Sequence, residues 1–201
     1  MKTSKERREM KDRMQQTRLD LVHTQSCSVL PNRFAMLDRM PKKSRVAEIG
    51  VAFGEFSKEI LQRCDPDVLF LIDAWATERY RAGLETIEDD LSDLIKKEKV
   101  KILKGLSTTV LGDFGPHTLD WVYLDTNHSY DTTLAELELC NSIVARGGRI
   151  SGHDFCTGNV IDAVPYGVVE AVTKFCKDRN WQFEYLTVES RGHFSFCIMR
   201  L

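Results

Sequence analysis

Residues 46–57 read VAEIGVAFGEFS, and the order of residue types in this stretch decides the fold. Val46, Ala47 and Ile49 are apolar and read as a short buried strand, whereas FSKEILQRC (56–64) places Phe56, Ile60 and Leu61 at helical spacing. Between them stand three small residues, Gly50, Ala52 and Gly54. A strand, a tight small-residue turn and a helix let a ligand approach the backbone closely and lie against the free N–H groups of the first helical turn. The stretch therefore predicts a site for a nucleotide-like cofactor.

Outward from this unit, apolar runs alternate with helical patterns. VLFLIDAW (68–75), VKILKG (100–105), LDWVYLD (119–125) and GGRISGHD (147–154) read as strands, separated by helices over about 78–97, 108–111 and 129–146. Strands alternating with helices imply right-handed crossovers and a mainly parallel, doubly wound α/β sheet with helices on both faces. The site then lies at the carboxyl ends of the strands, where strand order reverses. After a helix over 166–178, WQFEYLTVE (181–189) and GHFSFCIMRL (192–201) are strand-like and joined by only Ser190, Arg191 and Gly192. So short a link permits an antiparallel pair and forbids a parallel crossover.

Composition narrows the classes of function. The 201 residues are 42% hydrophobic and 29% charged, enough for one domain with a real core. A net charge of -2 gives no reason to expect nucleic acid or a membrane as partner, which leaves small molecules. The six cysteines form no C-x-x-C pair, and the start MKTSKERREMKDRMQQ has no apolar core, so a reducing, cytoplasmic setting is expected. Residues 1–30 read as a basic helical arm or lid, helical from Thr3 to about His23, ahead of a catalytic domain over 31–201. The arm carries Lys2, Lys5, Arg7, Arg8, Lys11, Arg13 and Arg18 and offers a surface for a homodimer. A second short helix, about Asn32 to Arg39, ends before Pro41.

The turn after the first strand is G-x-A-x-G rather than the G-x-G-x-x-G of dinucleotide enzymes. Glu48 precedes it, and Asp73 closes the second strand where a carboxylate can accept from ribose hydroxyls. Glu48, Gly50, Gly54 and Asp73, with the final antiparallel hairpin, resemble class I S-adenosylmethionine-dependent methyltransferases from about Arg33 to the C-terminus. That resemblance implies a Rossmann-like sheet of seven strands whose last runs antiparallel. It also implies cofactor contacts from Glu48, Gly50, Ala52, Gly54, Asp73, Trp75, Leu106, Ser107 and Asp125. Glu48 suits the amino group and sulfonium of S-adenosylmethionine, Asp73 the ribose, Trp75 or Leu106 the adenine face, and Ser107 the base edge.

Two further strand ends, YLDTNHSYD (123–131) and ISGHDF (150–155), bring Asp125, Asn127, His128, His153 and Asp154 to the same edge. They are similar to the LD-x-x-H-S-Y and GHD-F/Y signatures of small-molecule O-methyltransferases, the branch that includes catechol and macrocin O-methyltransferases. The resemblance implies methyl transfer to a small-molecule hydroxyl acceptor. It implies a divalent cation, magnesium or manganese, on Asp125, His153 and Asp154. His153 stands where a further carboxylate is common, and imidazole favours manganese, iron or zinc over magnesium. Without a metal, His128 or His153 would serve as general base beside Asp125.

Plainer readings stand beside these. Gly50 and Gly54 could form only a tight turn, Asp73 could cap a helix, Asp125 and Ser129 could cap the helix near Tyr130, and His153 could be a satisfied core histidine. His117 and His193 read as structural. The competing functions are an NAD(P)-dependent oxidoreductase, which the turn spacing disfavours, and a non-catalytic S-adenosylmethionine-binding protein.

Overall fold

The structure, a computed structural model, describes residues 2–201. It begins with α1 (Ser4–Arg13), an extended segment and a 3-10 turn (Leu21–His23), then β1 (Ser28–Leu30) and α2 (Arg33–Leu37). The alternating body follows: β2 (Arg45–Ile49), α3 (Glu55–Cys64), β3 (Val68–Asp73), α4 (Arg81–Asp90), α5 (Ser92–Lys96), β4 (Val100–Lys104), α6 (Ser107–Gly112), β5 (Leu119–Leu124), α7 (Tyr130–Ile143) and β6 (Val144–Gly152). A small hairpin, β7 (Gly158–Asn159) with β8 (Val164–Pro165), precedes α8 (Val168–Arg179), β9 (Trp181–Thr187) and β10 (Phe196–Arg200).

One sheet orders its strands β1-β9-β10-β6-β5-β2-β3-β4. Strands β6, β5, β2, β3 and β4 pair in parallel, and β10 runs antiparallel between β6 and β9. The chain moves outward from β2 through β3 to β4, then returns to the other side of β2 with β5. The order therefore reverses between β2 and β5, and a crevice opens at their carboxyl ends.

Each strand feeds two layers because successive side chains point to opposite faces. Ala47, Ile49, Phe70, Ile72, Val122 and Leu124 pack in one core cluster with residues of α6, α7 and α8. Val46, Leu69, Leu71, Trp121 and Tyr123 pack in the other with residues of α2, α3 and α4. The central strands are thus covered on both sides, as parallel sheets require.

Several details depart from the sequence expectations. The sheet holds eight strands, not seven: Ser28–Leu30 adds a parallel edge beside β9, too short to show a period. The last residues of the segment read as an arm therefore belong to the sheet. The arm helix stops at Arg13 instead of His23, because the chain beyond it turns extended to pack Met14 and Leu19 on the body. The single helix expected over 78–97 is two, α4 and α5, which meet at buried Leu91. Asp89 and Asp90 at the end of α4 oppose its macrodipole and favour a break there. The link between β9 and β10 spans residues 188–195, longer than expected, but the antiparallel pairing stands.

Candidate functional site

The turn after β2 is closed by backbone contacts. Gly50 N–H donates to Ile72 O at 2.8 Å and Asp125 N–H to Ile49 O at 2.7 Å, which ties the ends of β2, β3 and β5 together. Gly50 has φ +89°, and a Cβ there would lie 2.0 Å from the Asp125 carbonyl oxygen. Only glycine fits. Ala52 also adopts a left-handed φ, 53°, at a cost of about 1 kcal/mol.

Asp73 holds this turn in shape. Its Oδ2 accepts from Val51 N at 2.8 Å and Ala52 N at 3.0 Å, and its Oδ1 accepts from Trp75 N at 2.8 Å. It does not cap the helix that follows, which starts eight residues later at Arg81. Gly54, the N-cap of α3, supplies no side chain to the first helical turn, which leaves the orphan N–H groups of that turn without a side-chain cap. A glycine that no Cβ can replace and an uncapped helix start fit a cofactor laid against the backbone.

Glu48 differs from its expected role. It is buried beneath α3 on the face shared with Tyr123, accepts from Ser57 Oγ, and burial pushes its carboxyl up to about 8. A carboxyl that stays protonated near neutrality does not pair with a sulfonium by charge. Trp75 is corrected as well: only 3% exposed, it donates from its indole N–H to Ala52 O at 2.9 Å. Its ring therefore braces the turn from beneath rather than offering a face to adenine, whereas Leu106 is 66% exposed at the mouth. Ser107 opens α6.

Next to the turn, β5 and β6 deliver two carboxylates and three imidazoles. His128 Nε2 lies 3.0 Å from both Asp125 Oδ1 and Asp154 Oδ2. His153 Nδ1 lies 4.0 Å from Asp125 Oδ2 and 3.5 Å from Asp154 Oδ1, and His193 Nδ1 contacts Asp154 Oδ1 closely. His128 and Asp154 both have left-handed φ, 59° and 55°. Non-glycine residues held in that region mark places where the surrounding structure imposes a geometry.

The charges support one another. Burial would raise Asp154, but the His153 hydrogen bond and the charges of His128 and His153 hold its carboxyl down at about 2. Burial disfavours the charged form of His128, yet the hydrogen bond to Asp125 and the charges of Asp154 and Asp125 outweigh it and raise its pKa. His128 Nε2 is thus held between two carboxylates.

The structure assembles Asp125, His128, His153 and Asp154 as expected and adds two residues. His193 belongs to the cluster, which corrects its structural reading; His117 instead bonds the Val144 carbonyl. Glu136 is fully buried on α7, accepts from Thr126 Oγ1 at 3.0 Å through Oε2, and leaves Oε1 without a partner. Burial raises its carboxyl to about 6. Asn127 spends its amide on Ser129 and Thr132, and Ser129 caps α7; Asp125 does not.

The donor set suits a cation. Oxygen and nitrogen atoms of Asp125, His128 and Asp154 lie within 4.8 Å of one another, as do donors of Asp154, Cys156 and His193. His128 therefore stands nearer the metal-ligating geometry than His153 does. Mixed carboxylate and imidazole donors favour manganese, iron or zinc over magnesium.

The sequence profile of a methyltransferase domain matches residues 47–155, more than half of the chain and all of the strand ends just described. No curated protein matches the sequence. Solved structures share the fold. The pyocyanin biosynthetic protein PhzM superposes with a TM-score of 0.60 at 17% identity, over 80% of this chain and 51% of that one. A SAM-dependent methyltransferase of Methanosarcina mazei gives 0.61 at 10% identity, over 83% and 96%. Fibrillarin of Aeropyrum pernix, with natively bound S-adenosylmethionine, gives 0.59 at 12%, over 89% and 75%. The chain spans about half the length of PhzM.

Proposed function

The chain belongs to the methyltransferase-domain family, and from that premise we propose that it transfers a methyl group from S-adenosylmethionine to a hydroxyl oxygen of a small molecule. One observation carries the oxygen reading: Asp125 and Asp154, at adjacent strand ends, are bridged by His128 at 3.0 Å from each, beside the glycine turn. Two carboxylates at adjacent strand ends are suited to orient a hydroxyl and to stabilise its departing proton.

S-adenosylmethionine, when bound, supplies an electrophilic methyl group on a sulfonium. The turn 50–54 and the start of α3 hold the nucleoside and amino-acid parts, with Leu106 and Ser107 at the base. Asp125 and Asp154 flank the acceptor hydroxyl and orient its oxygen for in-line transfer. His128 bridges Asp125 and Asp154 and fixes their spacing. His153, when neutral, takes the hydroxyl proton as general base. Asp125, Asp154 and a neutral His128, through its unprotonated Nε2, would hold a divalent ion, and such an ion would lower the hydroxyl pKa.

The test is incubation with methyl-labelled S-adenosylmethionine and a panel of phenols, vicinal diols and amines, followed by product analysis. Label on oxygen, lost in Asp154→Asn, supports the reading. Label on nitrogen, or transfer indifferent to that substitution, contradicts it.

A further inference from the structure

α1 and the β7–β8 hairpin enclose an open groove of about 430 Å³ outside the cofactor crevice. One wall carries Arg7, Arg8 and Lys11, and the other carries Val160, Val164 and Pro165. Lys11 is paired with Glu170 and donates to the Tyr166 carbonyl at 3.0 Å, which pins the arm to the body. Among the described residues, Arg7 bonds only the Lys2 carbonyl and Ser4 Oγ. Among the described residues, neither Arg7 nor Arg8 has a carboxylate partner. On the hairpin, Val160 and Ile161 are 90% and 89% exposed, and Val164 47%. Scattered apolar residues on a surface need no explanation, but Val160 and Val164 opposite Arg7 and Arg8, which lack a carboxylate partner among the described residues, form a groove of mixed character.

Tyr166 joins this groove to the reacting cluster. Its ring lies tilted over His128 at 4.7 Å between centroids and meets His193 edge-on at 6.4 Å, while its backbone N–H donates to the carbonyl of Thr157, a groove residue, at 3.1 Å. Tyr166 thus contacts Lys11 of the groove on one side and, on the other, two histidines that bond Asp125 and Asp154.

We propose that the acceptor is a small amphiphilic anion: a hydroxylated molecule with an apolar body and a terminal carboxylate or phosphate. Arg7 and Arg8 receive the anionic group, Val160 and Val164 cover the body, and the hydroxyl reaches Asp125. Polarity sets the orientation. The carboxylate pair repels an anionic end, and the guanidiniums, forked donors matched to carboxylate and phosphate, attract it. Only the hydroxyl end is then presented for transfer. This inference rests on the methyltransferase reading and names the substrate class of the same site.

Calorimetric titration of the full chain, saturated with S-adenosylhomocysteine and with manganese present, tests it with matched probes. These are catechol, 3,4-dihydroxybenzoate, 3,4-dihydroxyphenylphosphonate and 3,4-dihydroxybenzylamine. At least one anion should bind tenfold or more tighter than catechol, the two anions deciding between carboxylate and phosphate, and the amine should bind most weakly. In the double variant Arg7→Gln, Arg8→Gln that preference should fall to near unity while S-adenosylhomocysteine affinity is kept. Both residues lie on the surface of α1, so the fold is not at stake. Equal affinity for all four probes, preference for the amine, a preference that survives the double variant, or no anion binding to protein that takes up S-adenosylhomocysteine would overturn the inference. Failure to bind S-adenosylhomocysteine at all would instead remove the methyltransferase reading, and this inference with it.

Discussion

The two halves of the carboxyl edge are built in different ways. On the β2–β3 side the site is backbone: Gly50 lies against the Asp125 carbonyl, and Asp73 is bonded to the N–H groups of Val51, Ala52 and Trp75. On the β5–β6 side it is side chains: Asp125, His128, His153, Asp154 and His193, drawn from three separate stretches and held by mutual charge. A shape made of backbone fixes what is bound and tolerates little change. A cluster made of side chains fixes what reacts, and its members can be removed singly.

The comparison predicts opposite consequences for substitutions on the two sides. Gly50→Val should have the largest effect. A Cβ 2.0 Å from a backbone oxygen at φ +89° must displace β2 or β5, so we expect about 3 kcal/mol or more of destabilisation by chemical denaturation and no measurable cofactor binding. A folded Gly50→Val protein with unchanged binding would break the comparison. Asp154→Asn should fold normally and bind S-adenosylhomocysteine as the wild type does, while kcat falls by about 100-fold or more in the labelled-transfer assay. Loss of binding and turnover together would show the halves are not separable.

Smaller effects sharpen the boundary between them. His193→Gln removes one of the imidazoles that hold Asp154 at about 2, and by analogy with outer-shell partners of metal ligands kcat should drop about 10-fold. Unchanged kinetics would return His193 to a structural role. Glu48 tests the backbone side by pH. Its carboxyl is raised from 4.5 to about 8 by burial, so between those values the folded chain keeps a proton that the unfolded chain releases. Stability should therefore fall as pH rises through that window, by at most about 1.4 kcal/mol per unit, with no further loss from this group above it. Glu48→Gln should flatten that part of the stability profile; a profile identical to the wild type would show that Glu48 is ionised in the fold.

The same contrast explains what could be read from sequence. Gly50, Gly54 and Asp73 were legible because a strand, a turn and a helix follow one another along the chain, and spacing records their geometry. Asp125, His128, His153 and Asp154 were legible as strand-end residues of a parallel sheet. His193 was not, because it sits in the loop 188–195 and reaches Asp154 only through the pairing of β10 with β6, which sets Phe196 opposite Gly152 and brings Phe155 N–H to the Phe194 carbonyl. Glu136 left a faint signal: it shares the buried stripe of α7 with Thr133, Leu137, Cys140 and Ile143, an acid where the helical period calls for an apolar residue. Strand β1 left none, since three residues at a sheet edge carry no period. Trp75 was placed at the right strand end, but its direction depends on the left-handed φ of 43° that turns it under the loop.

The measurement that bears most directly on the central claim is calorimetric titration of the wild type and Asp154→Asn with S-adenosylhomocysteine, alongside NAD as a control. One-to-one binding of S-adenosylhomocysteine to both proteins, with no NAD binding, is the predicted result. No binding of S-adenosylhomocysteine to a folded wild type, or binding of NAD in its place, would contradict the account.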